Sequence, residues 1–215
     1  MAVTKQKITQ LLLSGTDERT ISNDNGLSNY GIAFDDDNLI NRGSCTCNLI
    51  TENHIEFLRN KISGNETDAD WASLVNEVQD GIKMEISGTT DTNYEVFFGP
   101  SGTDVVYFPI LFSRERFPDK KILNIVTCIE ELGSGTLFAG QGKYFAGTSQ
   151  FGKKIPKGEA IIDQQYIDTE YLSARCAKGT IENPKENLKD LIVSNPDLNI
   201  IVSLVVGSKS GIEDN

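Results

Sequence analysis

The chain has 215 residues, a length at which one well-buried domain is usual and two small domains are possible. Acidic residues outnumber basic residues by 31 to 20, and the resulting net charge of -11 repels nucleic acids and anionic lipid surfaces. No apolar run is long enough to cross a membrane, and the N-terminal apolar stretch is too short for an export signal. We therefore expect a cytoplasmic protein that binds neither nucleic acid nor membrane.

Apolar residues at helical spacing predict three helices in the first half of the chain. They lie around Ile8 to Leu12, over Glu52 to Ile62 and over Asp68 to Met84. Residues 14–48 are rich in Gly, Asn, Asp and Ser, a composition typical of loops. We therefore expect residues 1–50 to form an N-terminal arm and loop, and residues 51–215 to form an α/β portion.

From residue 94 onward, short apolar runs typical of strands alternate with helical patterns. The predicted strands are Tyr94 to Phe98, Lys121 to Ile129, one or two within 160–177, and Asn199 to Val206, and the predicted helices are Val105 to Phe112 and Pro184 to Val193. The run at Asn199 is almost entirely aliphatic, so we expect a strand buried on both faces. The alternation predicts a mostly parallel sheet in a three-layer αβα fold, with ligand sites at the carboxyl ends of the strands.

The strongest local signal lies where the first of these strands gives way to a helix. Gly99 and Gly102 allow a tight turn, and the hydroxyls of Ser101 and Thr103 would meet the first N–H groups of the helix at the positive end of its dipole. Such a turn predicts a phosphate site at Ser101-Gly102-Thr103. An ordinary helix cap uses the same residues without a ligand and is the alternative. Pro109 indicates a kink or an early end of this helix.

Four cysteines and a single histidine limit the metal chemistry open to the chain. Cys45, Cys47, Cys128 and Cys176 are too few and too scattered for a disulfide-rich fold, so we expect reduced thiols. Cys45 and Cys47 could supply half of a zinc site, but no second cysteine pair follows and His54 is the only histidine. The sequence therefore predicts no metal site.

Several further segments accompany the Ser101 turn along nearly the whole chain. They are Gly15-Thr16-Asp17-Glu18-Arg19, Asn29-Tyr30-Gly31, Ser44-Cys45-Thr46-Cys47, Glu130-Glu131-Leu132-Gly133-Ser134-Gly135-Thr136 and Gly207-Ser208-Lys209-Ser210-Gly211. In order and character this set resembles the fold-type I pyridoxal-phosphate enzymes, the aminotransferase and cysteine desulfurase superfamily. The resemblance implies a large domain of that fold, with pyridoxal 5'-phosphate as cofactor.

The resemblance also implies roles for individual residues. Ser101, Gly102 and Thr103 would hold the cofactor phosphate. Glu131 or Leu132 lies where the family usually places an aromatic residue or histidine against the cofactor ring, and Ser208 follows a strand whose turn approaches the cofactor. Lys209 is the candidate for the lysine that binds the cofactor covalently. Arg19 and Arg175 are candidates for binding a substrate carboxylate.

In the family the covalent lysine and the aspartate on the pyridine nitrogen lie on later strands. We therefore expect the chain to be the N-terminal and large-domain part of a longer transferase or lyase that acts on an amino acid, and not to be catalytic alone. The resemblance further implies a homodimer or association with a complementary chain, in which Asn29, Tyr30 and Arg19 are candidate contact residues. Two other interpretations stay open: a non-catalytic binding or interaction module of this fold, and an unrelated α/β protein that binds a phosphate or nucleotide.

Overall fold

The computed structural model describes residues 3–20, 22–33, 36, 51–149, 152–175, 179 and 185–205. The chain divides into two compact units, Met1–Pro100 with Ser149–Lys153, and Ser101–Thr148 with Lys154–Asn215. The predicted boundary at residue 50 falls beside a stretch outside the described residues, and it stays a prediction.

The described part of the first unit contains three α-helices, and they confirm the apolar spacing. They are α1 (Lys5–Ser14), α2 (Glu52–Lys61) and α3 (Asp68–Ser87). Ile8 of α1 and Ile55 of α2 are fully buried in one apolar cluster, and Leu74 of α3 packs against it. Thr67 and Asp70 form a capping box that satisfies the first N–H groups of α3.

The segment Tyr94 to Phe98 is not a strand, and that prediction is wrong. Several of its polar contacts are with α3: Gln79 Nε2 donates to the Val96 carbonyl at 2.7 Å, and Lys83 Nζ lies 2.9 Å from Glu95. A strand requires a neighbouring strand for its N–H and C=O groups, and none of the described strands pairs with this segment. Residues with a preference for strands do not form a strand when no other strand lies beside them.

The second unit contains a parallel sheet of three strands in the order β2-β1-β3. The strands are β1 (Ile122–Thr127), β2 (Ile167–Leu172) and β3 (Asn199–Ser203). This confirms the mixed α/β class and the parallel sheet. The central strand β1 is buried along its whole length, whereas β3 is only half-buried, so the prediction of a strand buried on both faces is wrong there. The position of β3 at an edge of the sheet explains the difference.

The described part of this unit has four α-helices: α4 (Gly102–Val105), α5 (Tyr107–Arg116), α6 (Ser134–Gly140) and α7 (Lys185–Ser194). Two helices, broken at Val106, therefore replace the single helix predicted over Val105 to Phe112. Pro109 lies in the first turn of α5, where its missing N–H would have had no acceptor within the helix. The break at Val106, in the turn before Pro109, agrees with the predicted kink or early end.

Helical residues lie against both faces of the sheet. The Gly140 carbonyl of α6 accepts hydrogen bonds from Asn124 Nδ2 of β1 at 2.7 Å and from Thr169 Oγ1 of β2 at 3.1 Å. Asn187 and Leu191 of α7 lie beside Glu170 of β2, whose side chain points to the other face because successive residues of a strand alternate. None of the described helices is both long and apolar enough to cross a membrane.

Candidate functional site

The loops that follow the carboxyl ends of β1 and β2 contain charged residues that contact one another. After β1 the chain passes through Cys128, which is fully buried and has a positive φ of 49°, and then forms a short 3-10 helix over Ile129–Glu131. The left-handed conformation at Cys128 turns the chain sharply away from the strand, since a β-strand cannot continue through it. Two glutamates are thereby placed directly beyond the end of the central strand.

Glu130 holds the loop that follows β2. Its carboxylate accepts hydrogen bonds from the Ser173 hydroxyl, from the Ala174 N–H at 3.2 Å and from the Arg175 N–H at 3.3 Å. Glu130 therefore acts as a brace between the two loops, a role that the sequence analysis missed although the acidic pair directly after a strand was visible.

Glu131 forms an ion pair with Arg175. The Arg175 Nη2 to Glu131 Oε1 distance is 3.3 Å, and the Glu131 side chain is only 6 % exposed. The two side chains join the loop after β1 to the loop after β2. Arg175 was predicted as a possible partner for a substrate carboxylate, but in this structure its guanidinium contacts a carboxylate of the chain itself.

Ser101 is the N-cap of α4. Its hydroxyl donates to Asp104 Oδ2 at 2.6 Å and accepts from the Asp104 N–H at 3.3 Å, and the residue is almost fully buried. The N–H groups of Gly102 and Thr103 are among the four that helix geometry leaves without an acceptor in their own helix. The predicted phosphate turn thus has donors at its first two helical residues, with the Asp104 carboxylate beside them.

Thr103 lies next to the loop that follows β1. Its Cγ2 is 3.3 Å from the position that a Cβ on Gly135 would take, and the Phe145 ring is 3.4 Å from the same position. A Cβ at position 135 would therefore require the Thr103 or Phe145 side chain to shift slightly. Gly135 belongs to the same loop and helix start as Glu131 and Leu132, so the structure brings two of the predicted site segments together.

Phe145 and Tyr107 form the apolar side of this region. Their rings stack with centroids 6.1 Å apart, and both pack with Ala139 of α6. The Tyr107 hydroxyl donates to the Lys143 carbonyl at 2.6 Å, and burial raises the pKa of Tyr107 to about 12. Tyr107 therefore remains a neutral hydrogen-bond donor and does not serve as a base.

The remaining predicted residues have other positions. Leu132 packs against a buried cluster that contains Cys128, so most of its surface contacts the protein interior. Arg19 forms a two-pronged ion pair with Asp17, at 2.8 and 2.5 Å, within the first unit. Ser208 and Lys209 lie outside the described residues.

Metal ligands do not cluster in the part of the chain that the structure describes. No group of three His, Cys, Asp or Glu side chains there is arranged to hold a metal ion. His54 Nδ1 is 2.8 Å from the Thr51 hydroxyl at the start of α2. Cys45, Cys47 and Cys176 lie outside the described residues.

An open pocket of about 370 Å³ lies between α7 and β2. Glu170 and Asp190 contribute carboxylates to its lining, together with Leu172, Asn187, Leu191 and Ser194. Two carboxylates and no lysine or arginine in this lining make the pocket unsuited to an anion. The Ser101 turn and its neighbouring loop are therefore the better candidate for a phosphate.

Comparison with known proteins identifies no relative: no family model, no curated protein and no solved structure significantly matches the chain.

Proposed function

We propose that this chain supplies the phosphate-binding portion of a pyridoxal-phosphate-dependent transferase or lyase that acts on an amino acid. The observation that carries the proposal is the 3.3 Å approach between Thr103 Cγ2 and the Cβ position of Gly135. The turn at Ser101-Gly102-Thr103, which resembles the family's phosphate site, therefore lies next to the segment after β1. That segment carries Leu132 and resembles the part of the family's site that contacts the cofactor ring. Both belong to the unit with the parallel sheet, in which ligands bind beyond the carboxyl ends of strands.

The turn offers hydrogen-bond donors to a phosphate, but one carboxylate beside them opposes its binding. The N–H groups of Gly102 and Thr103 and the Thr103 hydroxyl would hold the anion. The Asp104 carboxylate repels an anion and accepts the Ser101 hydroxyl, so Ser101 can donate to a phosphate only by exchanging that partner. The exchange weakens binding without removing the backbone donors.

When bound, the cofactor would act as an electron sink for bond cleavage at the amino acid. The residues of this chain bind and orient it. Leu132 would offer an aliphatic surface to the ring, and Glu131, held by Arg175, would fix the loop that carries Leu132. Lys209, with Ser208 as its neighbour, is the candidate for a covalent anchor within this chain, although the family carries that lysine on a later strand. We also propose that the second unit has the three-layer αβα architecture that the resemblance implies. The helical residues on both faces of the sheet support this architecture.

The experiment compares pyridoxal 5'-phosphate with pyridoxal, which lacks the phosphate, by calorimetric titration of the full chain. We expect the phosphorylated compound to bind at least about tenfold more tightly, because a hydrogen bond to a charged group contributes about 1.5–3 kcal/mol. A Thr103→Val variant, which removes the hydroxyl and keeps the backbone donors, should lose part of that difference. Thr90→Val is the matched control, since Thr90 is an exposed residue in the first unit.

Equal binding of the two compounds, or an unchanged preference in Thr103→Val, would contradict the proposed phosphate site. Stabilisation by a nucleotide but not by pyridoxal 5'-phosphate would instead favour an unrelated phosphate-binding protein. Reduction with borohydride followed by peptide mapping then tests the anchor. A reduced cofactor adduct on Lys209 would support an enzyme, whereas tight binding of pyridoxal 5'-phosphate without an adduct would support a non-catalytic binding module.

A further inference from the structure

The long helix α3 exposes an apolar face. One side of α3 packs through Leu74 on the apolar cluster of the first unit, and another side contacts the segment at residues 94–98 through Gln79 and Lys83. Helical spacing places a stripe of large apolar residues between these two sides. This stripe, the α3 face, consists of Trp71, Val75, Val78, Ile82 and Ile86. All of its residues except Ile82 are at least 40 % exposed.

The apolar surface is long and continues beside the helix. From Trp71 to Ile86 the stripe extends about 22 Å along the helix axis, which is about four turns. Phe97 and Phe98, in the segment that contacts α3, are exposed as well. Single exposed apolar residues are common on proteins, whereas a continuous row of them marks an interaction surface. The shape of a four-turn stripe matches a second helix laid along α3.

The charge around the α3 face is negative. Helix α3 contains five acidic residues and a single basic residue, Lys83, which pairs with Glu95. Asp68 lies seven residues before Val75 and Glu85 lies seven residues after Val78, so both acidic residues lie along the stripe. Residues 1–100 hold 16 acidic and 7 basic residues, and so they carry -9 of the net charge of -11. This surface therefore favours a positively charged partner.

We propose that the α3 face binds an amphipathic helix of a partner protein, with apolar residues on one side of that helix and several Lys or Arg residues beside them. The apolar side would cover the stripe from Trp71 to Ile86, as in other complexes of a helix with an apolar surface. The basic residues would lie near Asp68 and Glu85 and shorten the search for the correct orientation.

Charge argues against an occupant from the chain itself. A second copy would bring the same acidic helix against α3, and like charges oppose that contact. The stretches outside the described residues contain at most one basic residue each. Lys153, Lys154 and Lys157 form a basic run, but they lie around Pro156 and outside the described helices.

Trp71 is the only tryptophan of the chain, so its fluorescence reports on the α3 face. The probe is a synthetic peptide of about 18 residues, made of leucine and lysine with the leucines on one side of a helix. We expect one peptide to bind per chain and to shift the Trp71 emission to shorter wavelength. Two comparison peptides should bind at least about tenfold more weakly: one with glutamate for lysine, and one of the same composition with its leucines on all sides.

A pair of variants tests the position of the site. Val78 is 52 % exposed at the middle of the stripe, so Val78→Ser leaves the buried clusters in place and should weaken binding of the leucine-lysine peptide about fivefold. Val193→Ser on α7 is the matched control, because Val193 is similarly exposed at 69 %, and it should leave binding unchanged.

Several results would overturn the proposal. They are equal binding of either comparison peptide, and an affinity that Val78→Ser does not change or that Val193→Ser lowers equally. A dimer in sedimentation that Val78→Ser converts to a monomer would also overturn it, because a second copy would then occupy the α3 face.

Discussion

Arg175 pairs with Glu131 at a distance of 3.3 Å and so links the loops beyond the carboxyl ends of β2 and β1. The pair spans 44 residues of sequence and lies where the sheet would present a ligand. The Glu131 side chain in this pair is only 6 % exposed.

Removing the arginine should destabilise the second unit. Arg175→Ala takes a charged partner from a buried carboxylate, and we expect a loss of about 2 kcal/mol in the free energy of unfolding. Arg175→Lys should recover part of it. Urea denaturation measures both, with Arg59→Ala on the exposed surface of α2 as a control that changes stability by less than about 0.5 kcal/mol. A loss in Arg175→Ala no larger than in the control would mean that the ion pair is solvent-screened.

Alanine substitutions at two glycines distinguish the cost of backbone strain from the cost of steric crowding. Gly26 and Gly142 have φ values of 75° and 67°, but a Cβ at Gly26 would meet nothing within 4 Å, whereas one at Gly142 would lie 3.3 Å from Ile162 Cβ. We expect Gly26→Ala to cost about 1 kcal/mol through strain alone and Gly142→Ala about 2–3 kcal/mol. Denaturant midpoints of the two variants give the comparison. Equal costs would show that Ile162 moves aside freely.

The ion pair of Asp17 makes the stability of the folded chain depend on pH in the acid range. Burial raises the pKa of this carboxyl, but hydrogen bonds and charge from Arg19 outweigh it and lower the pKa below its ordinary value of 3.8. Because the folded pKa is below the unfolded value, the contribution is complete above pH 3.8 and is lost as the pH falls through the folded pKa.

Denaturation at a series of pH values checks this dependence. Asp17→Asn should be less stable than the wild type at neutral pH, and the difference should shrink as the pH drops below about 3.8. A difference that stays constant down to the lowest pH would show that Asp17 stabilises the first unit by packing and not by its charge.

Helices and the central strand follow from local sequence. The mostly apolar run Ile122–Thr127 identifies β1, which is buried along its whole length. The spacing of Ile55 and Leu58 identifies α2, because a helix that buries one face requires that period. Tyr94 to Phe98 has equally strong β character and is not a strand. Pairing depends on which other segment lies beside it, and that information is not local.

The site was less visible in the sequence than the fold. A turn capped by Ser101 is evident from residue types, but the capping partner Asp104 was not recognised as a competitor for a ligand. The contact between Thr103 and Gly135 and the pairing of Arg175 with Glu131 join positions 32 and 44 residues apart, and no periodic pattern encodes such contacts. Only the packed second unit reveals them.

The most direct test of the central claim is the response of the Gly102 and Thr103 amide NMR signals to pyridoxal 5'-phosphate. We predict that these two signals shift more than any others and that inorganic phosphate competes for the same shifts, while pyridoxal leaves them in place. Unchanged Gly102 and Thr103 signals at saturating pyridoxal 5'-phosphate would contradict a cofactor phosphate at the start of α4.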